Sequence, residues 1–190
     1  MYSGKSEELM RRVRRALIAG RRVEVFKSSL DDRYGGIGHV SSHDGLKLRA
    51  RPVADARSML AAVAAASDAA NPAEVVAVDE VHFLEGDVAA AANQLADSGC
   101  RVILAGLDMD FRGDPFPAMS ELLAVAEQVL KLHAICMKCG APATRNQRLI
   151  DGRPAHVSGP TVQVGGPGDY EARCRACHET PGGEQEVRQR

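Results

Sequence analysis

Four of the five cysteines form two pairs with two residues between partners, Cys136 with Cys139 and Cys174 with Cys177. This spacing lets both sulfurs of a turn face one ion, and two such pairs supply the tetrahedral thiolate set that zinc accepts. Four protein ligands leave no position for water, so the pattern predicts a structural Zn²⁺ site. Chance pairing or a redox motif is the alternative. His178 is a further candidate ligand that the tetrahedron does not need.

A phosphate-binding site is suggested by Ser3-Gly4-Lys5-Ser6, which opens an amphipathic segment. In a P-loop, N–H groups at a helix N-terminus cradle phosphates, the lysine meets the β- and γ-phosphates, and the serine hydroxyl holds Mg²⁺. The complete motif would place its first glycine, and the strand before it, upstream of Met1. An exposed N-cap serine is the alternative interpretation.

The continuous apolar run Val75–Asp79 ends in an acidic residue, and a second one, Glu80, follows it directly. A buried parallel strand that ends in a carboxylate is the second part of a P-loop nucleotide site, although an ordinary polar strand end has the same pattern. Glu80 could accept the proton of a substrate hydroxyl, or it could activate water in an ATPase. Position alone does not separate a kinase from a hydrolase.

Composition narrows the class of protein. With 24 Lys+Arg against 25 Asp+Glu the net charge is −1, which argues against a nucleic-acid partner. The sequence has no apolar run of the length that spans a membrane and no apolar core of a signal peptide, so we expect a cytoplasmic protein with reduced thiols. Cys100, at the start of an apolar run, is interpreted as a small buried hydrophobe.

These groups must be positioned by alternating helices and strands, which predict an α/β fold with a P-loop NTPase-like parallel sheet, flanking helices and a small zinc-held lobe. The predicted helices cover residues 6–19, 54–70, 87–98 and 117–132, and the predicted strands cover 23–26, 75–79 and 101–107. From about residue 133 the composition changes to Gly, Pro and Cys. We therefore expect a nucleotide-binding domain over 1–132, a zinc-binding domain over 133–181 and a disordered tail over 182–190.

Several motifs occur together and in order along the chain. They are Met1–Leu9, Asp31–Tyr34, Ser42–Asp44, Asp79–Phe83, Gly106–Gly113, Pro115–Phe116, Cys136–Ala143, and Gly165–Gly166 leading to Asp169–Tyr170 and the second cysteine pair. In these motifs the chain resembles the type II thymidine kinases, which have a P-loop core and a zinc-bearing lasso domain. The resemblance extends from Met1 to about His178.

The resemblance implies an ATP-dependent phosphotransferase that moves the γ-phosphoryl group to the 5′-hydroxyl of thymidine, giving dTMP for DNA precursor synthesis. It implies that Glu80 is the catalytic base and that Arg33 stabilises charge. The residues implied to bind ATP and its phosphates are Met1, Tyr2, Ser3, Gly4, Lys5, Ser6, Asp31, Asp32, Arg33, Asp79 and His82.

The same resemblance implies a thymine pocket and further properties. The side chains implied to line the pocket are Met1, Phe83, Leu107, Phe111, Phe116 and Tyr170. The lasso backbone implied to contact the base edge comprises Thr161, Val162, Gln163, Val164 and Gly165. Mg²⁺ and a structural Zn²⁺ are the implied metals, and a homotetramer inhibited by thymidine triphosphate is the implied assembly, with no nucleic-acid or membrane partner.

Three departures from the family pattern are visible. His82 stands where the Asp-Glu-x-Gln-Phe pattern has Gln, and Lys27-Ser28 replaces Lys-Pro. The chain also starts inside the P-loop, without its first strand, for which a misplaced start site or a truncation is our hypothesis. Two other functions stay open on the residues: a P-loop nucleotide-binding protein or ATPase with a structural zinc and impaired kinase activity, and a zinc-ribbon module that binds nucleic acid or protein.

Overall fold

The protein is described by a computed structural model over residues 2–30, 39–41, 47–67, 71–163 and 168–182. In chain order its elements are α1 (Lys5–Ile18), β1 (Val23–Ser28), β2 (His39–Ser41), β3 (Lys47–Arg49), β4 (Arg51–Val53), α2 (Ala56–Ala66), β5 (Val75–Asp79), a 3₁₀ turn (Val81–Phe83), α3 (Val88–Asp97), β6 (Arg101–Leu104), α4 (Pro117–Val125), β7 (Ala134–Ile135), β8 (Pro142–Ala143), β9 (Arg145–Ile150), β10 (Arg153–Pro154) and β11 (Tyr170–Arg173).

The chain forms two compact units. The first, which we call the sheet unit, comprises Gly4–Asp108 and Phe116–Leu130. The second, the cysteine unit, comprises Met109–Pro115, the N-terminal Tyr2 and Ser3, and the described part of 131–190. The boundary expected at residue 133 stays a prediction.

A parallel sheet in the order β4-β1-β5-β6 is the centre of the sheet unit. Every residue of β5 is buried, and its side chains alternate between two apolar layers. Val75 and Ala77 pack with α1 through Leu9 and Val13. Val76 and Val78 lie in the larger cluster that α2, α3 and α4 share. Because successive strand residues point to opposite faces, both faces of the sheet are covered by helices, and the predicted α/β class is confirmed.

Local signals explain where the helices begin. The Asp55 carboxylate accepts a hydrogen bond from the Ser58 N–H at 2.6 Å, and the Ser58 hydroxyl oxygen accepts one from the Asp55 N–H at 3.2 Å. The two bonds form a capping box that starts α2. The helix therefore begins two residues later than predicted, at Ala56 instead of residue 54. It ends at Ala66, and residues 68–70 of the predicted range lie outside the described residues. Pro117 occupies the first turn of α4, where its missing N–H costs no helical bond.

Two predicted elements are too long. The strand expected over 101–107 ends at Leu104, because the chain bends and the Leu107 N–H donates to His82 Nδ1 at 3.2 Å. The helix expected over 117–132 ends at Val125, since Ala126 is extended. Of its predicted apolar stripe, Val129 and Leu130 are 48% and 56% exposed, so burial does not support further turns.

The cysteine unit contains a small antiparallel sheet in the order β10-β9-β11 and a short β7–β8 pair. The central strand β9 buries three polar side chains, Asn146, Gln147 and Arg148. Gln147 is held by Glu179, whose carbonyl accepts from Nε2 at 2.8 Å and whose N–H donates to Oε1 at 2.8 Å. These paired bonds satisfy an amide that the strand carries into the interior.

Among the described residues, no helix combines the length and the apolar character that crossing a bilayer would require. The tail expected over 182–190 lies outside the described residues after Gly182.

Candidate active site

The N-terminus of α1 and the end of β5 meet in the sheet unit. Gly4 adopts a left-handed conformation with φ 79°, which a residue with a side chain rarely takes, and α1 begins at Lys5. From the first turn the Ser6 hydroxyl donates a hydrogen bond to Asp79 Oδ2 at 2.9 Å. Two oxygen groups that the sequence places 73 positions apart are thus side by side.

Lys5 and Glu80 form the second contact between these segments. Lys5 Nζ lies 3.4 Å from Glu80 Oε1, and their side chains are only 18% and 10% exposed. The ammonium therefore provides a countercharge to a carboxylate that is largely removed from water.

Asp79 sits in an environment that disfavours its charge. Burial, together with the neighbouring negative charge of Glu80, raises the pKa of Asp79 to about 6. Lys5 and the Ser6 hydroxyl act in the opposite direction but do not cancel the effect. A cation bound beside Asp79 would favour its ionised form.

The backbone at Glu80 is unusual for a residue with a long side chain. Its φ is 53°, in the left-handed region, and its N–H donates to Asp79 Oδ1 at 3.0 Å. The chain turns sharply here from β5 into the 3₁₀ turn, which directs the strand end toward Lys5. A conformation of this kind costs of order 1 kcal/mol and is found at functional sites.

His82 is buried next to Glu80. Its Nδ1 accepts the Leu107 N–H at 3.2 Å, so the neutral ring carries its proton on Nε2, which lies 3.5 Å from Glu80 Oε2. The ring also contacts Phe83 and Phe116, with centroids at 4.0 and 4.7 Å. These contacts fix one imidazole nitrogen toward the carboxylate.

The residues predicted for the thymine pocket fall into two groups. In the sheet unit, Phe83 and Phe116 meet edge to face at 6.3 Å, and Leu107 packs on the same apolar cluster. In the cysteine unit, Phe111 and Tyr170 share a small cluster with Ala155. The assignment of these side chains to a thymine pocket stays a prediction.

Several predicted residues belong to the cysteine unit or are not described. Tyr2 and Ser3 are in that unit, and Tyr2 is exposed. Thr161, Val162 and Gln163 follow Pro160 in an irregular segment. Met1, Asp31, Asp32, Arg33, Val164 and Gly165 lie outside the described residues.

The two cysteine pairs converge. The Sγ atoms of Cys136, Cys139, Cys174 and Cys177 all lie within 4.8 Å of one another, with 3.6 Å between Cys139 and Cys174. A tetrahedral zinc site with Zn–S bonds of about 2.3 Å requires sulfurs about 3.8 Å apart, so the cluster fits that ion.

The ionisation of the thiols is uneven. A hydrogen bond from the Cys174 backbone is the main cause that lowers the pKa of Cys136 to about 6, whereas hydrogen bonding with the Cys174 and Cys139 thiols raises the pKa of Cys177 to about 12. His178 turns away, and its Nε2 donates to the Phe111 carbonyl at 2.8 Å. The four cysteines, without the histidine, form the group that could hold a metal ion.

Two arginines that the sequence analysis did not select are prominent in the cysteine unit. Arg112 and Arg148 donate hydrogen bonds to carbonyls of the segment 157–161. Arg148 lies in a strand whose neighbouring residues are also polar, so no apolar pattern marks it as buried. Arg112 is part of the Gly106–Gly113 motif, which is the one signal that could have directed attention to it.

Comparison with known proteins places this arrangement in a family. The family model described as "Thymidine kinase" matches residues 1–178. A thymidine kinase of Chloroflexus aurantiacus is 52% identical over 182 residues, covering 94% of this chain and 90% of the relative. A thymidine kinase of Roseiflexus sp. strain RS-1 is 52% identical over 182 residues, covering 94% and 91%. On this match, which spans nearly the whole chain, the protein belongs to the thymidine kinase family.

Proposed function

We propose that this chain is an ATP-dependent thymidine kinase, a phosphotransferase that acts on the 5′-hydroxyl of thymidine. The observation that carries the proposal is the convergence of Lys5, Ser6, Asp79 and Glu80 at the end of β5. A phosphate-binding lysine, two oxygen groups for a cation and a carboxylate base are the parts that phosphoryl transfer needs. The family membership and the names of the relatives support the same substrate.

Glu80 is assigned the proton transfer. As the 5′-oxygen bonds to the γ-phosphorus and the bond to the β-phosphate oxygen breaks, the hydroxyl proton passes to the Glu80 carboxylate. Lys5, now paired with Glu80 at 3.4 Å, would turn to the phosphates when the nucleotide binds. Ser6 and Asp79 would hold Mg²⁺, which neutralises phosphate charge when bound. The buried imidazole of His82 orients the carboxylate.

On the resemblance, base recognition is assigned to the side chains of Met1, Phe83, Leu107, Phe111, Phe116 and Tyr170 and to the backbone of Thr161, Val162, Gln163, Val164 and Gly165. Phosphate contacts are assigned to Gly4 and the N–H groups around it, and to Asp31, Asp32 and Arg33. Backbone groups with fixed donors and acceptors suit a pyrimidine edge, because a base that lacks a partner leaves a polar group unpaired.

Zn²⁺ at the four cysteines is proposed as structural. The donor chemistry and the sulfur separations support it, and four thiolates leave no open position. The expected domain division, with a lasso domain from residue 133, is proposed with it.

On the resemblance we also propose a cytoplasmic homotetramer that thymidine triphosphate inhibits. Light scattering with size-exclusion chromatography and inhibitor titration test these two points.

The test of the activity is ATP-dependent formation of dTMP from thymidine by the purified chain, with ADP measured in parallel. We expect both products in equal amounts, and a kcat that falls by about 10²- to 10⁴-fold in Glu80→Gln. Glu121→Gln, at an exposed position of α4, is the matched control and should behave as the wild type. Release of ADP without dTMP would refute the kinase and favour an ATPase.

A further inference from the structure

The guanidinium group of Arg148 is buried in the cysteine unit and bonds backbone carbonyls. Only 2% of the residue is exposed. One terminal nitrogen donates to the Pro160 carbonyl and the other to the Thr161 carbonyl, the latter at 3.0 Å. Its Nε donates to the Tyr170 hydroxyl at 2.9 Å, and that hydroxyl donates to the Gln163 carbonyl at 2.8 Å. Arg148 therefore holds three carbonyls of one short segment, two by direct hydrogen bonds and one through the Tyr170 hydroxyl.

Arg112 bonds the same segment from another side. Its Nε donates to the Val157 carbonyl at 2.7 Å and one terminal nitrogen donates to the Gly159 carbonyl. The other terminal nitrogen bonds both the Thr161 hydroxyl and the Asp110 carboxylate at 2.9 Å. The two arginines together hold the segment 157–163, and we call this arrangement the arginine brace.

Phe111 is the apolar support of the brace. The Arg148 guanidinium carbon lies 3.9 Å from the centre of the Phe111 ring, and that of Arg112 lies 4.8 Å from it. Cations over an aromatic face are attracted to it, and the ring also prevents the planar groups from tilting. A planar fork held in this way fixes the direction of each carbonyl that it binds, which a flexible ammonium cannot do.

We propose that Arg112 and Arg148 are positioning residues that set the base selectivity of the nucleoside site. The inference rests on the proposed function, in which Thr161–Gln163 contact the edge of thymine. Because side chains of the protein itself hold the carbonyls of this segment, the peptide groups assigned to the base need little further ordering when it binds. Thymine and cytosine differ in their donors and acceptors, so a fixed backbone discriminates between them more strongly than a loose one.

The test compares Arg148→Lys with the wild type in two measurements. In steady-state kinetics we expect KM for thymidine to rise about tenfold or more while kcat changes by less than about threefold. The ratio of kcat/KM for thymidine to that for deoxycytidine should fall. In the unliganded protein, hydrogen exchange should become faster at the amides of Thr161–Gln163.

Two further variants keep the test decisive. Arg153→Lys, exposed in the same small sheet, is the matched control and should leave both measurements unchanged. Arg112→Lys, at a side chain that is 21% exposed, repeats the test should Arg148→Lys not fold. Unchanged exchange and unchanged selectivity in the brace variants, or equal losses for both nucleosides, would overturn the inference. A wild-type chain without thymidine phosphorylation would instead refute the proposed function, so the two failures are separate observations.

Discussion

The raised pKa of Asp79 makes the stability of the unliganded protein depend on pH in a direction opposite to that of an ordinary ion-paired carboxylate. The pKa is about 6 in the fold against 3.8 for the free residue. A difference of about two between these pKa values corresponds to about 3 kcal/mol. Because the folded state holds the proton more tightly, the contribution of Asp79 is fully present below pH 3.8 and is lost as pH rises through about 6.

Asp79→Asn removes this group without changing its size. The free energy of unfolding of the variant, relative to the wild type, should therefore increase by up to about 3 kcal/mol between pH 4 and pH 7.5. The measurement is urea unfolding over this pH range, in buffer without Mg²⁺ or nucleotide. The electrostatic cause gives the sign, since burial and the Glu80 charge both oppose ionisation.

The control for this experiment is Asp97→Asn, an exchange at an exposed position near the end of α3. It should give a pH profile parallel to that of the wild type. A free-energy difference between Asp79→Asn and the wild type that stays constant with pH would refute the reasoning. So would a difference that changes in the opposite direction.

Four further predictions test other parts of the molecule. Hydrogen bonds from Arg11 and Arg12 lower the pKa of Glu8 to about 2, so its contribution to stability is present above pH 4.5 and is lost toward pH 2. Between these pH values the free energy of unfolding should decrease by less in Glu8→Gln than in the wild type, with a difference of less than about 1 kcal/mol. Cys174→Ser should abolish stoichiometric zinc in elemental analysis and lower the unfolding temperature, whereas equal zinc content would contradict the assigned site. His82→Gln keeps a donor toward Glu80, so its kcat should stay within about threefold of the wild type, while His82→Leu should lose about tenfold. Val78→Ala removes two methyl groups from the fully buried strand β5 and should cost about 2 kcal/mol in urea unfolding.

The sheet unit was predictable because its signals are local and repeated. The continuous apolar run of β5 reflects a strand that is buried on both faces of the sheet. The amphipathic pattern of α1 reflects a helix with one buried face, and the structure confirms both elements. The ends of β6 and α4 were not predictable. The side chain of His82 takes the N–H that would have extended β6, and the exposure of Val129 leaves the last predicted turns of α4 without packing. Both causes are tertiary contacts, which periodicity does not contain.

The candidate site shows the same division. The residue types of Lys5, Ser6, Asp79 and Glu80 predict a phosphate site, and the structure brings their side chains into contact; their role stays a prediction. Arg148 was missed because an arginine in a polar strand is expected at the surface, where most arginines lie. Its burial depends on carbonyls of the segment around Thr161, which only the folded chain brings to it.

The left-handed backbone at Glu80 has a consequence for how this protein could change under selection. Glycine or asparagine fits that conformation more easily than glutamate, so replacing Glu80 with either residue should stabilise the fold while it removes the proposed base. Without a demand for phosphoryl transfer, the backbone conformation would therefore favour these two residues at this position, although Lys5 would lose its countercharge. A glycine or asparagine there, in an otherwise intact chain, would identify a descendant that has kept the architecture and abandoned the reaction.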